Sequence, residues 1–278
     1  MDLKTELRTY GFATVDYPKG VTEIVGEAME SWKKFCSLPL KAKSEFVYEQ
    51  NYVESTAFGS GYEFKNEPGR TKDRKENFHV VLDDISRLGH IAENLKIETS
   101  FIAHSKSLLE NLIDPVLDFT EKFEKEFNLS GLRDELYESR GTWILRYLHY
   151  FPTGKTDEII AAHHCDKAGL TMYLSETTPG VEYYSNDKKW MTMPVLSGKT
   201  IITPDMQIQY KTKGELKALY HRVVANDVSA KEGRYSIVCF ADFRKSPRYH
   251  KEKQGRLQDK PLAFNYGMPF EEFSKLFI

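Results

Sequence analysis

From Gly141 onward the chain breaks into short runs rich in β-branched and aromatic residues, separated by turn pairs such as Pro179-Gly180, Asn186-Asp187, Ser197-Gly198 and Lys213-Gly214. Branched and aromatic side chains fit a pleated, half-buried surface, and turn pairs at this rhythm predict successive strands of a barrel or jelly roll. The expected strands are Thr142–Phe151, Leu170–Ser175, Val181–Tyr184, Thr200–Thr203, Ile208–Lys211, Leu219–Val224 and Tyr235–Phe240. Upstream the apolar period is helical. Ile24, Val25, Met29, Trp32 and Phe35 predict an amphipathic helix over Val21–Leu38, stopped by Pro39. A longer stripe (Ile97, Phe101, Leu108, Leu112, Val116, Phe119, Phe123) predicts a helix from about Ile91 to Phe127, kinked at Pro115. The 278 residues thus divide into a mainly helical part over 1–140, a β core over 141–243 and a tail over 244–278. The tail ends in a short helical pattern, Phe270–Phe277, suited equally to a lid or to packing. A chain of this length can bury one sizeable core, so a single catalytic domain is expected.

Composition narrows the partners. A 40% hydrophobic and 29% charged make-up is that of an ordinary globular chain, and a net charge of −2 leaves no excess of cations for phosphate backbones. Nucleic acid is therefore not an expected partner. The first residues carry charges throughout, and no stretch is long and apolar enough to span a bilayer, so no membrane association is expected. Cys36, Cys165 and Cys239 match no paired zinc or disulfide spacing, which favours thiols in a reducing, cytoplasmic setting. A small soluble metabolite is the expected substrate. Oligomeric state leaves no mark in the sequence.

The chemistry concentrates in the β-rich part. In His164-Cys165-Asp166, an extended backbone points the imidazole and the carboxylate to one side and the thiol to the other. A second imidazole, His221, follows in another expected strand. Two histidines and one carboxylate on one face of a metal leave positions open for dioxygen and an organic ligand, the donor set of non-haem ferrous oxygenases. The H-x-D spacing alone has little specificity; Arg234-Tyr235-Ser236 adds to it. Alternation puts Arg234 and Ser236 on one face, and a planar guanidinium beside a hydroxyl grips a carboxylate with both oxygens engaged. Cys165 is expected to be a small buried residue, His163 to face away from the metal and His149 to point into packing. Met191, Met193 and Met206 are expected in the core or pocket lining.

These segments resemble the iron(II)- and 2-oxoglutarate-dependent dioxygenases of the isopenicillin N synthase type. His164–Leu174 (HCDKAGLTMYL) is similar to that family's H-x-D strand, Leu219–Asp227 (LYHRVVAND) to its second-histidine segment, and Gly233–Phe243 (GRYSIVCFADF) to its R-x-S strand. Tyr10–Val21, Phe35–Phe46, Lys75–Val80 and Leu145–Pro152 resemble further family segments, so the likeness covers most of the chain. Two departures stand out. Leu148 replaces a usual asparagine, and Thr203-Pro204 precedes Asp205 where the family tends to have glycine.

The resemblance implies a double-stranded β-helix core, a cupin-like jelly roll flanked by N-terminal helices and a C-terminal helical tail. It implies Fe(II) held by His164, Asp166 and His221, and 2-oxoglutarate held by Arg234, Ser236 and Tyr150. Dioxygen is the second cosubstrate and ascorbate a further candidate cofactor. Substrate hydroxylation, desaturation or cyclisation would accompany formation of succinate and carbon dioxide. The rival readings are a 2-oxoglutarate-independent iron(II) oxidase of the same fold, like isopenicillin N synthase or an ascorbate-using enzyme, and a non-catalytic β-barrel binding protein. Substrate contacts are not legible; Tyr62, Arg74, Arg244 and Arg248 are candidates for an anion but read more simply as surface.

Overall fold

A computed structural model describes residues 2–53, 56–66, 74–97, 100–243 and 266–275. Its frame is a pair of antiparallel sheets. The larger runs β1 (Ala13–Asp16), β10 (Lys199–Pro204), β7 (Leu170–Glu176), β12 (Arg234–Ala241), β5 (Ile144–Tyr150), β4 (Arg74–Val80), β3 (Thr56–Asn66) and β2 (Glu49–Val53). The smaller runs β6 (Ile159–His164), β11 (His221–Val224), β8 (Val181–Tyr184) and β9 (Trp190–Thr192).

Strand alternation divides the large sheet into two apolar faces. Leu145 and Tyr147 of β5, Ile237 and Cys239 of β12 and Met172 of β7 join one core with α2 (Val21–Cys36), α5 (Ser100–Phe127) and α6 (Leu132–Ser139). Trp32 and Phe101 are fully enclosed there, with Phe78 and Tyr147 within aromatic contact. The opposite face, through Leu148, Tyr150, Val238, Phe240 and Ile201, packs on Ala161, Val181, Tyr183 and Val223 of the small sheet. Helices thus cover the outer face of the jelly roll, and its inner face and the small sheet enclose the space where chemistry can occur.

Several expectations change at the elements. Ile208–Lys211 is not a strand; it lies in the helix α7 (Met206–Lys211), entered through the Gln209 N–H to Asp205 carbonyl bond. A four-residue apolar run cannot separate the two periods. The long N-terminal helix is two helices, α4 (Ile85–Leu95) and α5. Lys96 ends α4 in the left-handed region at φ 52°, and its N–H closes onto Ala92 and Glu93 carbonyls. Pro115 sits inside α5. Residues 1–140 also supply β1–β4, with β2–β4 extending the large sheet. The terminal helix, α9 (Phe270–Lys275), packs Phe270 and Phe273 against Tyr210. Arg244, Arg248 and most of the expected tail lie outside the described residues.

A buried ion network ties the helical layer to the sheet. Glu76 accepts hydrogen bonds from Lys43 Nζ at 2.5 Å and Tyr62 Oη at 2.6 Å, and His149 Nδ1 lies at 2.8 Å. Burial would raise this carboxyl, but bonds from His149, Lys43 and Tyr62 overcome it and hold the pKa at about 2. Cys36, Glu76 and His149 lie close enough to bind a metal, yet the ammonium of Lys43 already engages Glu76 Oε2 and the Cys36 carbonyl. Losing one member of such a pair leaves a buried charge, so Glu76→Ala is expected to destabilise the protein by about 3–5 kcal/mol in urea unfolding. Because the folded-state value is depressed, the contribution is complete above the ordinary carboxyl value of 4.5 and is lost as pH falls towards 2. A Glu76→Gln variant with an unchanged acid limb of the stability profile would contradict this.

Candidate active site

The small sheet places the two histidines side by side. His221 opens β11 directly opposite His164, the last residue of β6, and their rings lie 4.4 Å apart. In each ring Nδ1 faces a backbone carbonyl, Ala162 at 2.7 Å and Leu219 at 3.1 Å. Donation from Nδ1 fixes the tautomer and leaves the Nε2 lone pair free for a cation. Both Nε2 atoms point at Asp166, His164 at 3.6 Å from Oδ1 and His221 at 3.6 Å from Oδ2. One donor atom from each of the three residues falls within a 4.8 Å cluster. The donor set therefore fits a small divalent metal on chemistry and spacing alike.

Electrostatics prepare the same set. Burial and the neighbouring His164 push His221 down to about 4, so it is neutral at pH 7. Asp166 stays ionised: burial opposes its charge, but His221 and His164 hold its carboxyl below the usual range. For His164, lost hydration is outweighed by the hydrogen bond and charge of Asp166, and its pKa is raised above 6.5. Of the three, His164 alone must shed a proton for a metal to bind near neutral pH. Ferrous affinity is expected to fall by about tenfold per pH unit as pH drops below that value, with a one-proton slope down to about pH 5. An anaerobic titration at several pH values reads the slope; a two-proton or flat profile would contradict the assignment.

Behind the triad lie Thr171 and Asp205, to which sequence reasoning gave no part in the site. Thr171 Oγ1 donates to Asp205 Oδ2 at 2.7 Å and lies 3.4 Å from Asp166 Oδ2. Burial and the charge of Asp166 push Asp205 well above its ordinary value. Asp205 and Thr171 therefore back Asp166, a candidate ligand, as a hydrogen-bonded support.

The large sheet supplies the opposite wall in cross-strand rows. Across β12, β5 and β4 these rows run Arg234–Tyr150–Lys75, Ser236–Leu148–Asn77 and Val238–Arg146–His79. Arg234, Ser236 and Tyr150, expected to act together, meet here: Arg234 Nη1 donates to Ser236 Oγ at 3.2 Å, and the guanidinium lies 5.7 Å from the centre of the Tyr150 ring. All three are buried. Arg234 Nε also donates to the Thr178 carbonyl at 3.2 Å. A Cβ at Gly180 would come to 3.0 Å from that nitrogen, so glycine here lets the guanidinium lie close against the turn.

The arginine already has an acidic partner. Arg234 Nη2 is paired with Glu176 Oε2. Strict alternation from Tyr173 would turn Glu176 outward, but the register between β7 and β12 shifts between Val238 opposite Tyr173 and Ile237 opposite Ser175. This β-bulge brings Glu176 opposite Ser236 on the inner face. One extra residue in a strand leaves no pattern in a single sequence, so Glu176 was not legible.

The two walls enclose an open cleft of about 810 Å³, solvent at its mouth included, lined by the triad, Arg234, Ser236, Tyr150, Tyr173, Leu148, Val238 and Phe240. Residues 142–242, which carry all of these, match the sequence model of the 2OG-Fe(II) oxygenase superfamily, where 2OG is 2-oxoglutarate. Over this stretch the chain is similar to the 2OG-Fe(II) oxygenase superfamily. It is 34% identical over 104 residues to a 2-oxoglutarate-dependent dioxygenase of Didymella fabae, covering 35% of this chain and 31% of that protein. It is 25% identical over 226 residues to feruloyl CoA ortho-hydroxylase 1 of Arabidopsis thaliana, covering 79% and 59%. The chain thus spans less than two thirds of the length of these relatives. Among solved structures, a putative oxygenase from Shewanella oneidensis superposes with a TM-score of 0.66 at 24% identity over 88% of this chain and 86% of that one. The dioxygenase for auxin oxidation 1 from Arabidopsis thaliana, in its binary complex with 2-oxoglutarate, superposes with a TM-score of 0.67 at 17% identity over 87% and 88%. These neighbours establish the jelly-roll fold.

His163 turns away from the triad to Tyr220 and Trp190. His149 faces the helical layer, stacked on Tyr235 with ring centres 4.0 Å apart. Cys165 is buried, its Sγ 3.6 Å from the Ala218 carbonyl. Met193 and Met206 are buried, whereas Met191 is 46% exposed and is neither core nor pocket lining. Three residues do not make a long enough strand to bury both faces, and Met191 sits on β9 at the sheet edge. Tyr62 is buried with its hydroxyl committed to the Glu76 carboxylate, so it does not face a ligand anion, and Arg74 is exposed. The departure at Leu148 leaves an apolar side chain between Asn77 and Ser236. Among the described residues no helix is long and apolar enough to cross a membrane.

Proposed function

We propose that this chain is a ferrous iron- and 2-oxoglutarate-dependent dioxygenase that oxidises a small molecule. The observation that carries the reading is the meeting, in one cleft, of His164, Asp166 and His221 with Arg234, Ser236 and Tyr150. His164, Asp166 and His221 would hold the iron from one side. Arg234 would take both oxygens of the distal carboxylate of 2-oxoglutarate, with Ser236 and the Tyr150 hydroxyl as further donors, after Glu176 releases the guanidinium. Leu148, Val238 and Phe240 limit water around the bound pair. When bound, the iron, with dioxygen, supplies the oxidising power by which 2-oxoglutarate becomes succinate and carbon dioxide while the substrate loses electrons from a C–H bond. The protein contributes position and charge.

The relatives support the cosubstrate, since one is named a 2-oxoglutarate-dependent dioxygenase and a structural neighbour was solved with 2-oxoglutarate bound. A small-molecule substrate accords with an open cleft whose lining mixes apolar side chains with a few convergent polar groups. Three unpaired thiols accord with a reducing, cytoplasmic setting. The test is to incubate the purified chain with Fe(II), dioxygen and 2-oxoglutarate and to measure succinate, together with calorimetric binding of 2-oxoglutarate to the Mn(II)-loaded protein. Slow succinate formation without substrate and saturable binding are expected. Absence of both would remove the proposal and favour the cosubstrate-independent oxidase.

A further inference from the structure

Beside the triad, directly across from Val238 and one row on from Ser236, the inner face of the large sheet carries a cation that the cosubstrate does not use. Arg146 of β5 lines the cleft, with its guanidinium 4.6 Å from the centre of the Phe240 ring. Its Nε is buried and has no hydrogen-bond partner among the described residues, and no carboxylate there forms an ion pair with it. The charge it senses most directly in the site is Asp166, whose carboxyl it helps hold ionised. A divalent metal on the triad overcompensates that single negative charge, so in the loaded site Arg146 faces net positive charge and lacks a counter-ion.

The next residue in the same row extends the pattern. His79 lies opposite Arg146 on β4; burial and the Arg146 charge push it down to about 4, so its ring is neutral. Both its ring nitrogens are buried without a hydrogen bond among the described residues, the Glu63 carboxylate being 3.4 Å away. Asn77, two residues before it on the same face, has its Oδ1 buried in the same condition. Orphaned polar groups of this kind are costly unless a ligand or water completes them, and here they gather around one unpaired guanidinium at the edge of a cleft.

We infer that Arg146 is the anchor of a substrate subsite that takes a carboxylate, so that the molecule oxidised at this centre is a carboxylic acid. The planar fork of an arginine matches two carboxylate oxygens, and the Phe240 ring fixes its orientation. Gripping the acid here would leave the rest of the substrate over the triad, with its polar groups towards His79 and Asn77. This inference rests on the proposed dioxygenase reading for the word substrate, though not for the binding itself.

Binding is measured by calorimetry on the Mn(II)-loaded chain, with and without 2-oxoglutarate. The probes are phenylacetate, 4-hydroxybenzoate, hexanoate and N-acetyl-leucine, each against its primary amide. At least one acid is expected to bind about tenfold or more tightly than its amide, with the ratio collapsing to near one in Arg146→Gln and partly restored in Arg146→Lys. In both variants 2-oxoglutarate should bind within about twofold of the parent chain. If no acid outbinds its amide, or if the preference survives Arg146→Gln, the subsite is wrong. If the main effect of the variants is on 2-oxoglutarate, Arg146 belongs to the cosubstrate and the inference falls. Preference for an acid through Arg146 with no 2-oxoglutarate binding in the parent chain would keep the subsite and sink the dioxygenase reading instead. The Arg146→Lys variant, which retains the charge, keeps the test open should Arg146→Gln fail to fold.

Discussion

Replacing Asp166 or His221 with alanine is expected to abolish ferrous binding and, with it, succinate formation. Loss of a mere outer partner of a ligand typically lowers metal affinity or activity by about 10- to 100-fold. Removing a ligand should exceed that, because each residue supplies one of only three donors. The two variants should differ in stability. His221 is buried at the start of β11 and pairs with two strands, so its truncation opens a gap between β6 and β8. Asp166 lies between two histidines in the loop beyond β6, and removing its charge also removes the force that raises His164. Anaerobic ferrous titration, succinate assay and a thermal melt of each variant provide the measurements. A folded Asp166→Ala protein that binds iron and makes succinate like the parent would show that the triad is not the metal centre.

How much of this was legible in the sequence depends on which geometry a residue obeys. His164, Asp166, Arg234 and Ser236 could be placed because each pair is two residues apart in extended chain, where the side-chain period is fixed by the backbone itself. His221 followed once a strand was expected around it. Tyr150 came through resemblance, as its role depends on β5 lying against β12, a pairing that local pattern does not specify. What escaped falls into two classes. Glu176 reached the site through a bulge, which inverts the parity on which the whole argument rests. Arg146, His79, Asn77 and Thr171 needed the partner strand, because a single polar residue in a strand reads equally as surface or as site until its neighbours are known. The fold shows the same division. The helical stripes and turn-bounded strands were visible, whereas the strands of residues 49–80 were not, and a four-residue run in α7 was read with the wrong period.

The second large effect concerns the arginine, and its sign can be separated from folding. Arg234→Ala should leave the three metal donors in place but weaken 2-oxoglutarate, since truncating one partner of a buried charge pair costs on the order of 2–5 kcal/mol. In dissociation constant that is roughly 30-fold to several thousandfold. The single variant also strands Glu176, half of the pair, so part of any loss could come from a disturbed β7. Glu176→Gln isolates the other half. It keeps the size of the side chain and removes the charge with which a cosubstrate carboxylate must compete, so it should tighten 2-oxoglutarate binding, by up to about tenfold if one charge-assisted bond of about 1.5 kcal/mol is relieved. The double variant Arg234→Ala with Glu176→Gln should recover stability without recovering the cosubstrate. Calorimetric titration of the Mn(II)-loaded proteins, alongside urea unfolding, reads all three. If Glu176→Gln weakens 2-oxoglutarate as much as Arg234→Ala does, the glutamate is holding the arginine in place for the cosubstrate rather than occupying its position.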